Sequence, residues 1–388
     1  LDKLDTAQID GYLCEKFSPI HQAFERNFVQ FSETGAAVCI FHKGKLAAHL
    51  YGSYHSPNGP WANSDRVAFM SCSKALLAIC IHLLAARKVI SLDAPVKTYW
   101  PEFANNGKRN ITIDAVLNHT AGLPSHNTGS SGDIFEWQKT IHNIERAKPI
   151  FLHQQKLAYH ALTFGHILGE IIRRVDGRTP SQFFKDEIAV PFDINCALTK
   201  DPQFTHRAII NTKAFSPSLL YFMSHWLPII PHWKCQFFRQ CNTEYHPNSL
   251  SWSQGQIPAV TGHGSAYGLA KLYAFLAQDG ALNNQQLLPR AQVRKLRELS
   301  IAGRELTTNM HWRMGSGIML NSPPFCDMGP NQESFGHMGM GGSIGFADPK
   351  AQLSFAFVSE HFHQPHKNDP SIGGGRMQNL IKACYQCL

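Results

Sequence analysis

Long apolar runs are missing from this chain. The longest, Ala75 to Ile81 continuing past His82 to Ala86, is too short to cross a hydrocarbon layer of about 30 Å and reads instead as a buried helix. No transmembrane segment is therefore expected. Leu1 to Asp10 lack a basic start followed by an apolar run, so no secretory signal is expected in the chain as given; its start without Met leaves a removed leader open. Blocks of like charge are missing as well: the formal charge of +8 is spread along the sequence, with Lys and Arg interleaved with acids. That is a weak pull toward an anionic partner. Without a helix-turn-helix, an RNP-like aromatic strand or a basic run, no nucleic-acid module is expected. Cysteine is sparse, ten in 388 residues, and several (Cys39, Cys72, Cys80) sit inside apolar segments, the pattern of reduced thiols behaving as small hydrophobes. A cytoplasmic location is the expectation. The single CxxC, Cys384 to Cys387, has no partner pair and is expected to be a frayed tail rather than a zinc or redox site. There is no internal repeat and no low-complexity tract.

What is present is enough apolar material, 43% of 388 residues, for two ordinary domains or one large one. Ala37 to Phe41 and Leu46 to Tyr51 flank His42-Lys43-Gly44-Lys45 and predict a β-hairpin. Val67-Ala68-Phe69 reads as a strand running into Ser71, after which Leu76, Cys80, Leu83 and Leu84 recur at helical spacing, so Ser71 is predicted to open a helix. Two further helical faces follow, Phe164, Leu168, Ile171, Val175 and Leu269, Leu272, Tyr273, Leu276. Strands return at Gly345 to Ala347 and Leu353 to Val358, and a helix is predicted from Arg376 to Tyr385. The fold class is α/β (α+β): an antiparallel sheet pairing the N-terminal hairpin with the C-terminal strands, covered by the last helix, beside a mainly helical lobe. The expected boundaries are 1–70 together with 305–388 for the sheet lobe and 71–304 for the helical one. Within the latter, Phe215 to Trp252 is rich in aromatics without clear periodicity. It reads equally as an irregular lid or as a long loop packed onto the body.

Ser71-Cys72-Ser73-Lys74 is the only SxxK in the chain. On a helix, residues three apart share a face, so the Lys74 amine can approach the Ser71 hydroxyl. A lysine of ordinary pKa, about 10.4, is protonated and acts as a base only where burial or nearby cations depress that value. The helix start also exposes unpaired N–H groups, among which that of Ser71 suits an oxyanion.

The run Phe69-Met70-Ser71-Cys72-Ser73-Lys74 is followed by Leu92-Asp93-Ala94-Pro95-Val96, Tyr99-Trp100-Pro101-Glu102-Phe103 and Leu117-Asn118-His119-Thr120-Ala121-Gly122-Leu123-Pro124. Further on come Thr261-Gly262-His263-Gly264-Ser265-Ala266 and Phe335-Gly336-His337-Met338-Gly339 with Gly341-Gly342-Ser343. From about Gly35 to the C-terminus this series resembles the β-lactamase-related serine hydrolases: class C β-lactamases and family VIII carboxylesterases, of the penicillin-binding-protein superfamily. The resemblance implies a class C β-lactamase-like fold and an acyl-enzyme on Ser71. It also implies that Tyr159, heading the Tyr159-His160-Ala161 segment where the family has a Tyr followed two positions later by Asn, shares the serine's proton with Lys74 as a phenolate beside an ammonium and passes it to the leaving group. The Asn is absent. His337-Met338-Gly339 stands where β-lactamases have Lys-Thr-Gly, so the second oxyanion donor implied is the N–H of Met340, with His337, Gly339 and His160 as substrate-binding positions. The missing Asn and fixed cation weaken the case for β-lactam turnover and favour an uncharged acyl substrate.

Gly341-Gly342-Ser343-Ile344-Gly345 matches a GxSxG elbow, but an elbow needs a helix after it and here a turn and strand follow. His361, His363 and His366 are expected to form a surface loop rather than a metal site. No metal or organic cofactor is implied. The expected activity is that of a carboxylesterase on small to medium acyl esters. The alternatives are a β-lactamase or D-amino-acid peptidase, an acyltransferase, or a catalytically silent penicillin-binding-like protein. The partner expected is a small-molecule ester or amide, and the sequence leaves the oligomeric state open.

Overall fold

The computed structural model describes residues 7–125, 131–211, 246–364 and 373–388. In chain order the strands are β1 (Gln8–Leu13), β2 (Gly35–His42), β3 (Lys45–Ser53), β4 (Arg66–Ala68), β5 (Cys196–Ala197), β6 (His206–Arg207), β7 (His263–Gly264), β8 (Ala281–Leu282), β9 (Gln285–Gln286), β10 (Ile301–Arg304), β11 (His311–Met314), β12 (Met319–Leu320), β13 (Phe335–Met338), β14 (Ile344–Asp348) and β15 (Leu353–Ser359). Nine of them form one antiparallel sheet, ordered β1-β3-β2-β15-β14-β13-β12-β11-β10. The predicted hairpin is there. Its turn, Lys43-Gly44, has φ of 52° and 74° at the two residues, the pair of left-handed conformations that a two-residue hairpin with native twist requires. β2 then pairs along its whole length with β15, so the first and last thirds of the chain meet at the centre of the sheet.

Both faces of that sheet are covered, which is why β2 and β15 read as nearly unbroken apolar runs rather than alternating ones. Ala36, Val38 and Ile40 face helices α1 (Pro19–Gln30) and, at the end of the chain, α10 (Gly374–Gln386). Ala37, Cys39 and Phe41 face the other core. There α2 (Ser73–Ala86), α5 (Thr163–Asp176) and α8 (Ala266–Ala277) gather, α8 lying on β2, β14 and β15. Between α2 and α5 the chain adds α3 (Ile113–Leu117) and α4 (Trp137–Arg146), and later α6 (Pro180–Phe184), α7 (Leu250–Gln254) and α9 (Arg290–Arg297). The apolar helix predicted after Ser71 is α2, and it is buried on every side along most of its length.

Three expectations need adjusting. The CxxC is no frayed tail: Cys384 and Cys387 lie at the end of α10 with exposures of 0% and 6%, because that helix docks on the sheet. Most of the aromatic Phe215 to Trp252 segment lies outside the described residues; Trp252, which is described, is a core residue of α7. Ser71 does not open the helix itself but sits one turn ahead of it, in a short 3-10 turn, Met70–Cys72. Among the described residues no helix is long and apolar enough to cross a membrane.

A small second sheet, β5-β7-β4-β6, aims β4 at Ser71. It is joined to the large sheet through Arg207, a buried guanidinium held by Asp65 at 2.9 Å and Glu360 at 2.6 Å. Removing one partner of a buried ion pair leaves an uncompensated charge and costs about 3–5 kcal/mol. Arg207→Met is therefore expected to lower the unfolding free energy by about that much, read from urea titration, with Arg207→Lys recovering only part because one ammonium cannot span both carboxylates. An Arg207→Met protein as stable as the parent would contradict this.

Candidate active site

The site is built where β4 ends. Met70 takes a left-handed φ of 49°, a conformation costing a residue with a side chain about 1–2 kcal/mol, and the chain then turns into α2. Three contacts hold this corner. Phe69 N–H donates to Gly262 O at 3.1 Å, Gly262 N–H donates to Ser73 Oγ at 2.9 Å, and the Cys72 thiol donates to His337 O at 3.2 Å. Gly339, just beyond β13, packs so closely that a Cβ there would collide with the Phe69 carbonyl oxygen. The glycine therefore serves the approach of β13 to the corner that carries Ser71, and Met340 is the next residue along.

Lys74 is wholly buried on α2. Its Nζ donates to Ala161 O at 2.8 Å and Ala259 O at 3.2 Å, and lies 3.2 Å from Ser71 Oγ. Carbonyl oxygens only accept, so two of the nitrogen's tetrahedral directions are fixed as N–H bonds. The third contact, toward Ser71, is then a lone pair in the neutral amine and an N–H in the ammonium, which is the geometry of a proton exchanger. Ala161 stands where the family pattern has Asn, and its main-chain carbonyl gives the amine an acceptor that no side chain supplies.

The Tyr159 phenol faces Ser71 closely enough for that hydroxyl to act on its pKa, and the ring centroid lies 4.7 Å from Lys74 Nζ. The ring is clamped between His119 and Trp312, at 4.8 and 4.9 Å between centroids, and its N–H donates to Glu305 Oε1 at 2.7 Å. Burial raises the phenol's pKa above its ordinary value, outweighing the opposing effect of the neighbouring Ser71. Ser71 and Tyr159 are 88 residues apart in the chain, and both lie against Lys74.

The histidines behave differently from their assignment. His160 is wholly buried, Nδ1 donating to Ala158 O at 2.6 Å and Nε2 accepting from Leu123 N–H at 2.9 Å. With both ring nitrogens spent on the main chain it has no polar atom for substrate, and its role is to brace the Tyr159 segment. His337 is 1% exposed and donates from Nδ1 to Met338 O at 2.8 Å. Burial and the nearby Lys74 push its pKa down to about 3, so it is neutral and replaces the family's lysine without its charge. Ser343 lies in the turn between β13 and β14, with a strand and not a helix after it, so no elbow forms. Among the described residues no cluster of three or more His, Cys, Asp or Glu could hold a metal ion, and His366 lies outside them. Glu305, Trp312 and the carbonyls of Ala161 and Ala259 went unnoticed in the sequence. Only Glu305 had a side-chain signal, an acid followed by Thr307 and Thr308, whose N–H groups its carboxylate also accepts.

The β-lactamase family model matches residues 24–372, nine-tenths of the chain. The chain belongs to the β-lactamase family. As such it is an enzyme of the serine hydrolase class. The esterase/β-lactamase LipL of Mycobacterium tuberculosis is 27% identical over 396 residues, spanning 97% of this chain and 88% of that protein. Among solved structures, a penicillin-binding protein homologue from Caulobacter crescentus is 29% identical with a TM-score of 0.87, covering 98% of this chain and 100% of that one. A family VIII carboxylesterase is 27% identical with a TM-score of 0.84 and the same coverage. The β-lactamase-like fold expected from the motifs is thereby confirmed.

The buried imidazoles make stability depend on pH. Burial lowers His82 to about 4 and His160, His263 and His337 to about 3, from 6.5. Below pH 6.5 the unfolded chain takes up protons that the folded β-lactamase-family protein refuses, so unfolding free energy rises with pH and is lost as pH falls from 6.5 toward 3–4. The melting temperature is expected to drop steadily from pH 7 to pH 5, above the carboxylate range. A flat profile over that interval would show that these rings are charged in place.

Proposed function

We propose that the protein is a carboxylesterase that forms an acyl-enzyme on Ser71 with uncharged esters of small to medium acyl chains. The observation that carries this reading is the contact of Lys74 Nζ with Ser71 Oγ at 3.2 Å, its other donors anchored on carbonyls. The neutral amine takes the Ser71 proton as Oγ adds to the ester carbonyl carbon. The oxygen that becomes negative lies between the N–H groups of Ser71 and Met340. As the tetrahedral centre collapses, Tyr159 gives its phenolic proton to the departing alkoxide and is reprotonated from the Lys74 ammonium. Water, activated through the same groups in reverse, then frees the acid and restores the serine. The phenol's raised pKa suits it to hold its proton until a strongly basic alkoxide forms.

A neutral His337 in the lysine's place supports esters over β-lactams, since no fixed cation awaits a substrate carboxylate. The family VIII carboxylesterase among the similar structures supports the same reading, whereas the name of the esterase/β-lactamase relative covers both. The competing reading, β-lactam or D-amino-acid peptide hydrolysis, predicts rapid turnover of a chromogenic β-lactam with poor turnover of p-nitrophenyl esters.

Ser71→Ala is expected to lower p-nitrophenyl butyrate turnover by several orders of magnitude, because removing one member of a cooperating unit costs nearly the whole catalytic effect. An unchanged rate would remove Ser71 from the mechanism. Lys74→Ala and Tyr159→Phe should each be nearly as damaging, and the double variant far less damaging than the product of the two losses. Strictly multiplicative losses would mean that the amine and the phenol do not share one proton.

A further inference from the structure

A cavity of about 820 Å³ lies between the 63–66 segment, the 179–204 segment, His49 and Tyr267. None of Ser71, Lys74, Tyr159, His337 or Met340 lines it. Arg66 does. It is only 4% exposed, its guanidinium stacks 3.3 Å from the centroid of the Phe204 ring, and its Nε donates to Asn195 Oδ1 at 2.6 Å. That is the side chain's one hydrogen bond to the described residues; among them the terminal Nη1 and Nη2 meet no acceptor.

The other two buried arginines show what such a group normally requires. Arg207 is held by Asp65 and Glu360, and Arg376 by Glu33 at 2.6 Å together with the carbonyls of Gly341 and His361. Taking a guanidinium out of water costs several kcal/mol unless a countercharge meets it. No carboxylate of the described residues lies within ion-pair distance of Arg66, and Asp201 acts on it only from further off. The two carboxylates of the cavity are committed to lysines, Asp201 facing Lys185 at 3.6 Å and Asp193 facing Lys271 at 2.9 Å. Lys200 adds a further cation at the rim. The lining thus carries surplus positive charge beside hydroxyl groups of Ser64, Ser181 and Thr199.

We propose that this cavity is a second ligand site, in which the paired terminal N–H groups of Arg66 bind an oxyanion, the phosphate or carboxylate of a small polar molecule. A guanidinium presents its two end nitrogens in a plane that matches either oxyanion bidentately, and stacking on Phe204 fixes that plane in advance. Ser64 and the mutually hydrogen-bonded Ser181 and Thr199 line the same cavity. The site is independent of the hydrolytic reading, since it shares no residue with it.

The test is the melting temperature of the purified protein, titrated at constant ionic strength with inorganic phosphate or with acetate, chloride being the control. A saturable rise with at least one of the two is expected; saturation by phosphate alone assigns a phosphate ligand, by acetate alone a carboxylate. Arg66→Met should weaken the apparent affinity by about tenfold or more, the loss of one charge-assisted bidentate contact, and Ser71→Ala should leave it unchanged. No saturable rise with either anion, or full affinity in Arg66→Met, overturns the proposal. Should Arg66→Met fail to fold, Lys200→Ala decides: a severalfold weaker response supports the site, and an unchanged one overturns it.

Discussion

The arrangement depends on one buried nitrogen. Lys74 stands on a helix with water on no side, and an amine there is tolerated only if its hydrogen-bonding directions are filled. Two main-chain carbonyls fill them, from Ala161 and from Ala259, and the remaining direction points at Ser71. Because those carbonyls come from segments 98 residues apart, the amine is placed only when both lie against α2. His160 and Glu305 secure the first of these segments. One clips it to Leu123 and Ala158, the other holds the N–H of Tyr159. The packing around the nucleophile can be understood as a set of devices that keep two carbonyl oxygens still.

The electrostatic character of the pocket follows from the same burial. His119, His160 and His337 lie near Lys74, and each is held far below its ordinary pKa, first by desolvation, with the lysine and, for His119, the neighbouring His160 adding to it. Polar shape is retained without added charge. Neighbouring cations that titrated near neutrality would instead make the protonation state of the buried amine follow the pH of the medium. The same neutrality deprives the pocket of a fixed attraction for anionic substrates, which is the physical content of having His337 where other family members carry lysine.

Much of this was legible in the sequence, and the exceptions share a cause. The hairpin at Lys43-Gly44, the apolar helix after Ser71 and the strands near Gly345 and Leu353 declare themselves through periodicity and turn chemistry. Ser71, Lys74 and Tyr159 could be named because side chains carry identity. The carbonyls of Ala161 and Ala259 could not, since every residue has one and only the fold decides which are aimed inward. His160 was misassigned for a related reason: adjacency to Tyr159 in sequence says nothing about direction, and the two side chains leave the backbone toward different surroundings. The cysteines near the C-terminus were read from their position alone, whereas the apolar face of α10 that carries Met377, Leu380 and Cys384 into the core decides their environment.

The turn after β13 shows why both ends of the chain belong to the site. Arg376 on the last helix donates from Nη2 to Gly341 O at 2.8 Å and from Nη1 to Glu33 at 2.6 Å, the latter lying between α1 and β2. Gly341 follows Met340, so the N–H proposed to receive the oxyanion belongs to a turn fixed by a buried ion pair between the N-terminal and C-terminal segments. Gly341 and Gly342 adopt φ of 94° and 108°, conformations that leave this turn free to follow whatever holds it. A flexible turn held by a charge network is a sensible design only if the network is itself rigid, and Ser359, which donates to Glu33 and accepts from Arg376, locks it to the central strand. The antiparallel sheet that joins the chain's two ends is therefore the scaffold that holds the turn carrying Met340.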